Sequence, residues 1–212
     1  MKLSEIYQRR DNCRRLLNEI PYLHPGELTH IQLDSTISLS YIQREYVQLG
    51  VVGDVKVMLH RERVAVVGVP NNSDREDGRV EQIFRLTFKD RHELKFNHPF
   101  TNVLQENTVK IHKKYGGQGI MSNVYKLIAE RGFTLISDST QFESAQAMWM
   151  KMSRDPNYFI WVVDADSGFF KDEDGKIIRY VGQKLIDDQV WTTGSNYDGN
   201  YRLMILTKQD IR

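Results

Sequence analysis

The chain has 212 residues, 40% hydrophobic and 27% charged, which suits one globular domain with a sizeable core. Its 29 basic and 28 acidic residues leave a formal charge of +1, which argues against a nucleic-acid coat or a polybasic membrane binder. The one cysteine, Cys13, excludes a disulfide framework and points to a reducing, cytoplasmic setting.

The opening stretch "MKLSEIYQRRDNCRR" is charged and lacks the apolar segment of a signal peptide. No apolar run is long enough to span a bilayer, so no membrane partner is expected. Residues 4–20 put Ile6, Cys13, Leu16, Leu17 and Ile20 near one helical face, with Ser4 as a possible cap. The same helix carries a basic face, Arg9, Arg10, Arg14 and Arg15, for which solvation is the default and nucleic acid the alternative. "PYLHPGEL" breaks the helix, and "SLSYIQREYVQLG" reads as a second one ending at Gly50. Residues 1–50 are thus expected to form a helical extension, and 51–212 the main domain.

The middle third reads as strands. "DVKVMLH" (54–60) and "RVAVVGVP" (63–70) flank a short turn and form a hairpin. "NNSDREDGR" is a loop, "VEQIFRLTFK" (80–89) a strand, and "HELKFN" (92–97) its expected partner. "QENTVKIHKK" (105–114) alternates Val109 and Ile111 against Lys110 and His112, as a strand does. A helix follows over 122–131, where Val124, Leu127 and Ile128 share one face and Gly132 stops it. "FTLIS" (133–137) is a short strand, "SAQAMWMKMSR" (144–154) a helix, and "YFIWVVD" (158–164) a strand covered on both faces. "KIIRYVGQKLI" (176–186) and "YRLMILTK" (201–208) complete the expected strands. Strand, glycine turn, helix and strand in succession make a crossover, which implies locally parallel strands.

That turn, "KKYGGQGIMS", holds the most information. Gly116, Gly117 and Gly119 precede a helix start, where unpartnered amides and the positive dipole end favour a phosphate. His112, Lys113 and Lys114 add positive charge. A nucleoside triphosphate loop would need a Lys-Ser or Lys-Thr pair after the glycines, and none follows. A dinucleotide loop would need a third glycine where Ser122 stands. Gly116-Gly117-Gln118 is also the tripeptide of peptide-release factors, but it is wedged between a strand and a helix instead of lying on a long mobile loop.

"YGGQGIMSNVYKLIAERGFTLISD" resembles the pyrophosphate-binding motif of the GNAT superfamily of acyl-CoA-dependent N-acyltransferases, Arg/Gln-x-x-Gly-x-Gly/Ala. Gly119 matches the central glycine, while Gly116 and Met121 depart from the other two marked positions. "LISDSTQFESAQAMWMKM" is further similar to GNAT-type proteins carried by phages. The resemblance implies an α/β fold built on a mixed, mostly antiparallel sheet with a βαβ crossover at the cofactor site. It implies acetyl-CoA or another acyl-CoA as donor and an amine as acceptor. The pyrophosphate would lie on the amides of Gly117, Gln118, Gly119, Ile120, Met121 and Ser122, and the pantetheine beside Ile111 and residues 133–137. His112, Lys113 and Gly116 complete the expected cofactor loop, and Trp149 is a core or cofactor-packing residue.

Acyl transfer to an amine needs a base for the ammonium and an acid for the leaving thiolate. Asp138 and Glu106 are the candidate bases, each with a capping or solvated reading beside the catalytic one. In the family a tyrosine often protonates the sulfur; Trp149 falls near that place, which leaves Ser144, Tyr158 or water. A GNAT-fold binding or structural protein without catalysis is the alternative function. No histidine spacing suggests a metal, and "DADSGFFKDEDG" fails the calcium-loop pattern at Gly168, so it reads as an acidic hairpin.

Overall fold

The computed structural model describes residues 36–72, 78–138, 143–182 and 202–212. The expected helix over 4–20, with its basic face and cap, lies outside them. In chain order the elements are β1 (Thr36–Ser38), α1 (Leu39–Glu45), β2 (Tyr46–Val52), β3 (Val55–His60), β4 (Ala65–Pro70), β5 (Arg79–Glu81), β6 (Phe84–Phe88) and β7 (Val103–Ile111). A 3-10 turn (Lys113–Tyr115) then leads to α2 (Ile120–Glu130), β8 (Thr134–Ile136), α3 (Glu143–Ser153), β9 (Phe159–Asp164), β10 (Gly168–Phe169) and β11 (Arg202–Thr207).

The main sheet runs β10-β9-β11-β8-β7-β6-β4-β3-β2, and β1 pairs with β5 in a separate two-stranded ribbon. Within the main sheet β7 and β8 are parallel, and the other adjacent pairs are antiparallel. The protein is therefore α/β with a mixed, mostly antiparallel sheet, and α2 is the crossover between the two parallel strands. The last strand enters between β8 and β9 rather than at an edge.

The front of the sheet carries α2 and α3. Val124, Tyr125, Ile128 and Ala129 line the buried face of α2, and they pack with Val57, Phe84, Leu86, Trp149 and Ile160 in the main core. Gly132, in the left-handed region at φ 82, ends α2, donating to Ala129 while Phe133 reaches back to Ile128. Two smaller cores close the back. Ile42 of α1 and Val80 of β5 cover Val67 and Val69. Leu94 and Phe100, from the connection between β6 and β7, cover Ile136, Trp161 and Ile205.

Three expectations are corrected. The helix read into "SLSYIQREYVQLG" stops at Glu45, and Tyr46–Val52 is an edge strand running through residue 50. Gly50 marks a register shift in β2 rather than a helix stop, and Leu127 of α2 lies 3.0 Å from where its Cβ would be. The "HELKFN" segment is not a strand: Glu93 N–H donates to the Gln105 side chain and Lys95 N–H to the Ala165 carbonyl, in place of a ladder. Among the described part of 176–186, only isolated bridges at Ile177 and Arg179 occur. The acidic hairpin is present, its turn held by Asp164, which accepts from the amides of Asp166 and Ser167. No helix among the described residues is long and apolar enough to cross a membrane.

Candidate functional site

The glycine turn starts where β7 ends. His112 Nδ1 accepts from the Lys114 amide at 3.3 Å and starts the 3-10 turn. Gly117 and Gly119 then take φ values of 73 and 72, which an L side chain rarely adopts. Gly119 is the N-cap of α2 and offers no side chain to cap it. The Ser122 hydroxyl does not serve instead, because it donates back to the Gly119 carbonyl at 2.8 Å. The amides of Ile120, Met121 and Ser122 therefore open the helix without an intrahelical acceptor, beside exposed Lys113 and Lys114. Gln118 ties its side chain to the Lys114 carbonyl at 2.9 Å, so it braces the turn. Ile120 and Met121 pack against the main core, which turns the bulk of Met121 inward and away from the amides.

A second feature lies at the other end of β7. The strands β7 and β8 pair only over Val103–Gln105 and Thr134–Ile136. Beyond that point Ser137 N–H bonds to Met204 of β11, while β7 stays with β6 as far as Ile111. The two parallel strands thus part in the middle of the sheet. Gln105 spans the fork, its Nε2 donating to the Ser137 carbonyl at 3.3 Å and to Glu93 at 3.2 Å. A register shift leaves Asn107 unpaired between the pairs Phe88–Glu106 and Thr87–Thr108. Glu106 is the first residue past the fork.

Glu106 is half-buried and accepts a hydrogen bond from the Tyr125 hydroxyl of α2. Burial pushes its carboxyl up to about 7; the Tyr125 bond and the Lys89 charge hold it down, while the Asp138 charge adds to the rise. A carboxyl that ionises there is suited to take a proton near neutral pH. Tyr125 itself is fully buried, and burial with the facing carboxylate drives its hydroxyl well above the ordinary tyrosine range. Asp138 is engaged differently. It pairs with Lys89 Nζ at 3.0 Å, and Lys89 also holds Glu93 at 2.6 Å. Burial pulls the Lys89 ammonium down, but its bonds to Glu93 and Asp138 outweigh that and raise it.

The structure thus brings Glu106 and Asp138 together at the fork and strings Ile111, His112, Lys113 and Gly116 to Ser122 along the continuation of β7. Trp149 stands apart from the turn: it is fully buried, its ring 5.8 Å from Tyr125, and it backs that tyrosine from within the core. Tyr158 immediately precedes β9, an interior strand, and is buried in the main core. Its hydroxyl donates to Glu130 at the end of α2, and Lys208 sits 4.8 Å over its ring. The side chain of Ser144 is outside the described residues. No group of three His, Cys, Asp or Glu side chains suited to a metal occurs among the described residues.

Sequence reasoning missed Tyr125, Lys89, Glu93 and Gln105. Tyr125 falls on the buried face of α2 beside Val124 and Ile128, so periodicity files it as core, and only the three-dimensional pairing with β7 shows its polar end. Tyr125→Phe removes the bond that holds the Glu106 carboxyl down. Its titration, followed by carboxyl carbon NMR, is expected to move to higher pH. An unmoved titration would mean that the hydroxyl does not act on Glu106.

Comparison of the chain with protein-family models, with curated proteins and with solved structures gave no match.

Proposed function

We propose that this chain is an acyl-CoA-dependent N-acyltransferase of GNAT type, with acetyl-CoA as its donor. The observation that carries the reading is Glu106: a carboxyl with a pKa of about 7, at the fork of two parallel strands, on the strand that leads into an uncapped helix N-terminus. The parallel pair joined by α2 within a mostly antiparallel sheet agrees with the architecture that the sequence resemblance implies.

Acetyl-CoA supplies an acyl group activated as a thioester. The amides of Ile120 to Ser122, with Lys113 and Lys114, hold its pyrophosphate, and the gap between β7 and β8 admits its pantetheine arm. Glu106 takes the proton of the acceptor ammonium, freeing the nitrogen to attack the thioester carbonyl. A carbon–nitrogen bond forms, the carbon–sulfur bond breaks, the nitrogen gives up its second proton to water, and the leaving thiolate takes a proton from water. Tyr125 keeps the Glu106 carboxylate turned toward α2, and Lys89 neutralises Asp138 beside it.

The second reading, a GNAT-fold binding protein without turnover, is favoured by two observations. Trp149 is packed away where the family often has a tyrosine acid, and Gly116 brings no side chain to the phosphate turn. Saturating acetyl-CoA is expected to raise the melting temperature, by about 2.7 kcal/mol of added stability at a hundred times Kd. Gly119→Glu, which puts a negative charge and a strained residue at φ 72, is expected to abolish the rise. No rise at millimolar acetyl-CoA contradicts the transferase reading, and a rise without acyl transfer selects the second.

A further inference from the structure

Ionisable side chains from three segments converge where β7 and β8 part. Glu106 is on β7, Lys89 and Glu93 lie on the connection between β6 and β7, and Asp138 follows β8. The Lys89 ammonium stands between two carboxylates, Glu93 at 2.6 Å and Asp138 at 3.0 Å. Its side chain is 19% exposed, against 37% for Glu93 and 27% for Asp138, so solvent screens the cluster only in part. The backbone fixes Glu93 as well. Its N–H donates to Gln105 Oε1 at 2.6 Å, and Gln105 Nε2 donates to its carboxylate at 3.2 Å. Gln105 is buried and immediately precedes Glu106 on β7. A buried amide thus ties the ion cluster to the strand that carries the base.

The ionisable groups that bear on Glu106 are Tyr125 from α2, Asp138 from beyond β8 and Lys89 from beyond β6. Tyr125 acts by its hydrogen bond. Asp138 and Lys89 act through space and in opposite directions: the carboxylate opposes the negative charge on Glu106, and the ammonium favours it. The ion pair keeps the two effects offset. Without Lys89, the Asp138 charge would face Glu106 unbalanced. Ion pairs as open to solvent as these contribute little to stability, so holding the fold together is a weak reason for the arrangement. Its place beside Glu106 is the better reason.

We infer that Lys89 is a positioning residue of the proposed transferase: it clasps Asp138 and Glu93 at the fork, and so keeps the Glu106 carboxylate available to take the amine proton. The catalytic part rests on the transferase reading, but the effect of the clasp on Glu106 is measurable without turnover. Lys89 is invisible to this role from its sequence position, because Asp138 lies 49 residues further on and only the fold brings the two together.

The test follows the Glu106 carboxyl carbon by NMR across pH in the parent, Lys89→Met, Lys89→Arg, Asp138→Asn and the variant combining Lys89→Met with Asp138→Asn. Methionine keeps the apolar stem of lysine and removes its charge. In Lys89→Met the midpoint is expected to lie about one pH unit above the parent value of about 7. Arginine keeps the charge and is expected to leave the midpoint near the parent's. In the combined variant the rise is expected to vanish, because the carboxylate that Lys89 offsets is gone. In Asp138→Asn the midpoint is expected to fall, since Lys89 then acts unopposed. A scaffolding role alone would not let a second substitution at Asp138 restore the midpoint. An unmoved or lowered midpoint in Lys89→Met overturns the inference, and so does a rise that persists in the combined variant. If Lys89→Met does not fold, Asp138→Asn decides: a lower midpoint upholds the inference and an unmoved one overturns it. Thiol release from acetyl-CoA keeps the two readings apart. In Lys89→Met kcat/KM is expected to drop about five-fold at pH 7 and to recover near pH 9. Midpoints that move as stated without any thiol release leave the clasp standing and overturn the transferase reading. Release by the parent with midpoints that do not move overturns the clasp alone.

Discussion

Replacing Glu106 by glutamine is expected to slow acyl transfer by about a hundred-fold to ten-thousand-fold and, at the same time, to raise the melting temperature near pH 8. The first effect follows from losing the group proposed to accept the amine proton. The second follows from linkage. The folded carboxyl titrates at about 7 against an ordinary value of 4.5, so the folded state holds its proton more tightly than the unfolded chain does. Such a group lends its full stability below pH 4.5 and loses it progressively as the pH climbs through 7. Near pH 8 the parent carries a half-buried charge that glutamine does not, while the amide oxygen still accepts from Tyr125. Discounted for partial exposure, the gain is about 1–3 kcal/mol, or several degrees for a chain of this size. Near pH 4.5 the two proteins should melt together. Thermal scans at both pH values check it, and equal melting temperatures near pH 8 would show that Glu106 has an ordinary pKa.

Gly68→Ala is expected to destabilise the protein by about 1–3 kcal/mol, an unusual cost for adding one methyl group. Gly68 of β4 lies directly opposite Phe84 of β6. A Cβ at Gly68 would stand 2.1 Å from Phe84 Cε1, 2.3 Å from its Cδ1 and 2.9 Å from Val55 Cγ1. The Phe84 ring is fully buried and packed among Val57, Leu86 and their neighbours, so it has nowhere to swing. The glycine is the slot that the ring fills. Phe84→Leu alone also destabilises, by opening space in the core. The double variant should lose less than the sum of the two, because the smaller leucine vacates the room that the alanine takes. Denaturant midpoints of the four proteins measure the coupling, and additive losses would show that the methyl group clashes with something other than the ring.

These two sites differ in how much of them the sequence displays. The strands around Gly68 follow from alternation: "DVKVMLH" and "RVAVVGVP" pair as expected, and the run over 105–114 is a strand, though it rather than 92–97 is the partner of β6. The β7–α2–β8 crossover was legible too, because glycines before a helix and a short apolar strand after it leave few other arrangements. Other segments defeat periodicity. Residues 92–97 alternate like a strand, but their polar backbone is satisfied by the Gln105 side chain and by Ala165, contacts that no local pattern announces. In "SYIQREYVQLG" the helical spacing of the first half masks the strand in the second, and Gly50 imitates a helix stop.

The proposed phosphate turn was readable because its features are local: glycines, basic neighbours and a helix start lie within one short stretch. The proposed proton-transfer end was readable only as a choice between Glu106 and Asp138. Glu106 looks like any solvated carboxylate on a strand, and what changes it is burial beneath Tyr125, with Asp138 and Lys89 brought in from two other connections. A pKa is set by what the fold places around a group, so the residue that matters most carries the weakest sequence signal.

Steady-state release of thiol from acetyl-CoA, followed against pH for the parent and for Glu106→Gln, bears most directly on the account. The predicted result is amine-dependent release whose kcat/KM rises with pH through a midpoint at about 7 in the parent and is largely lost in the variant. Release no faster than the uncatalysed reaction, or a pH profile that the variant shares with the parent, would contradict it.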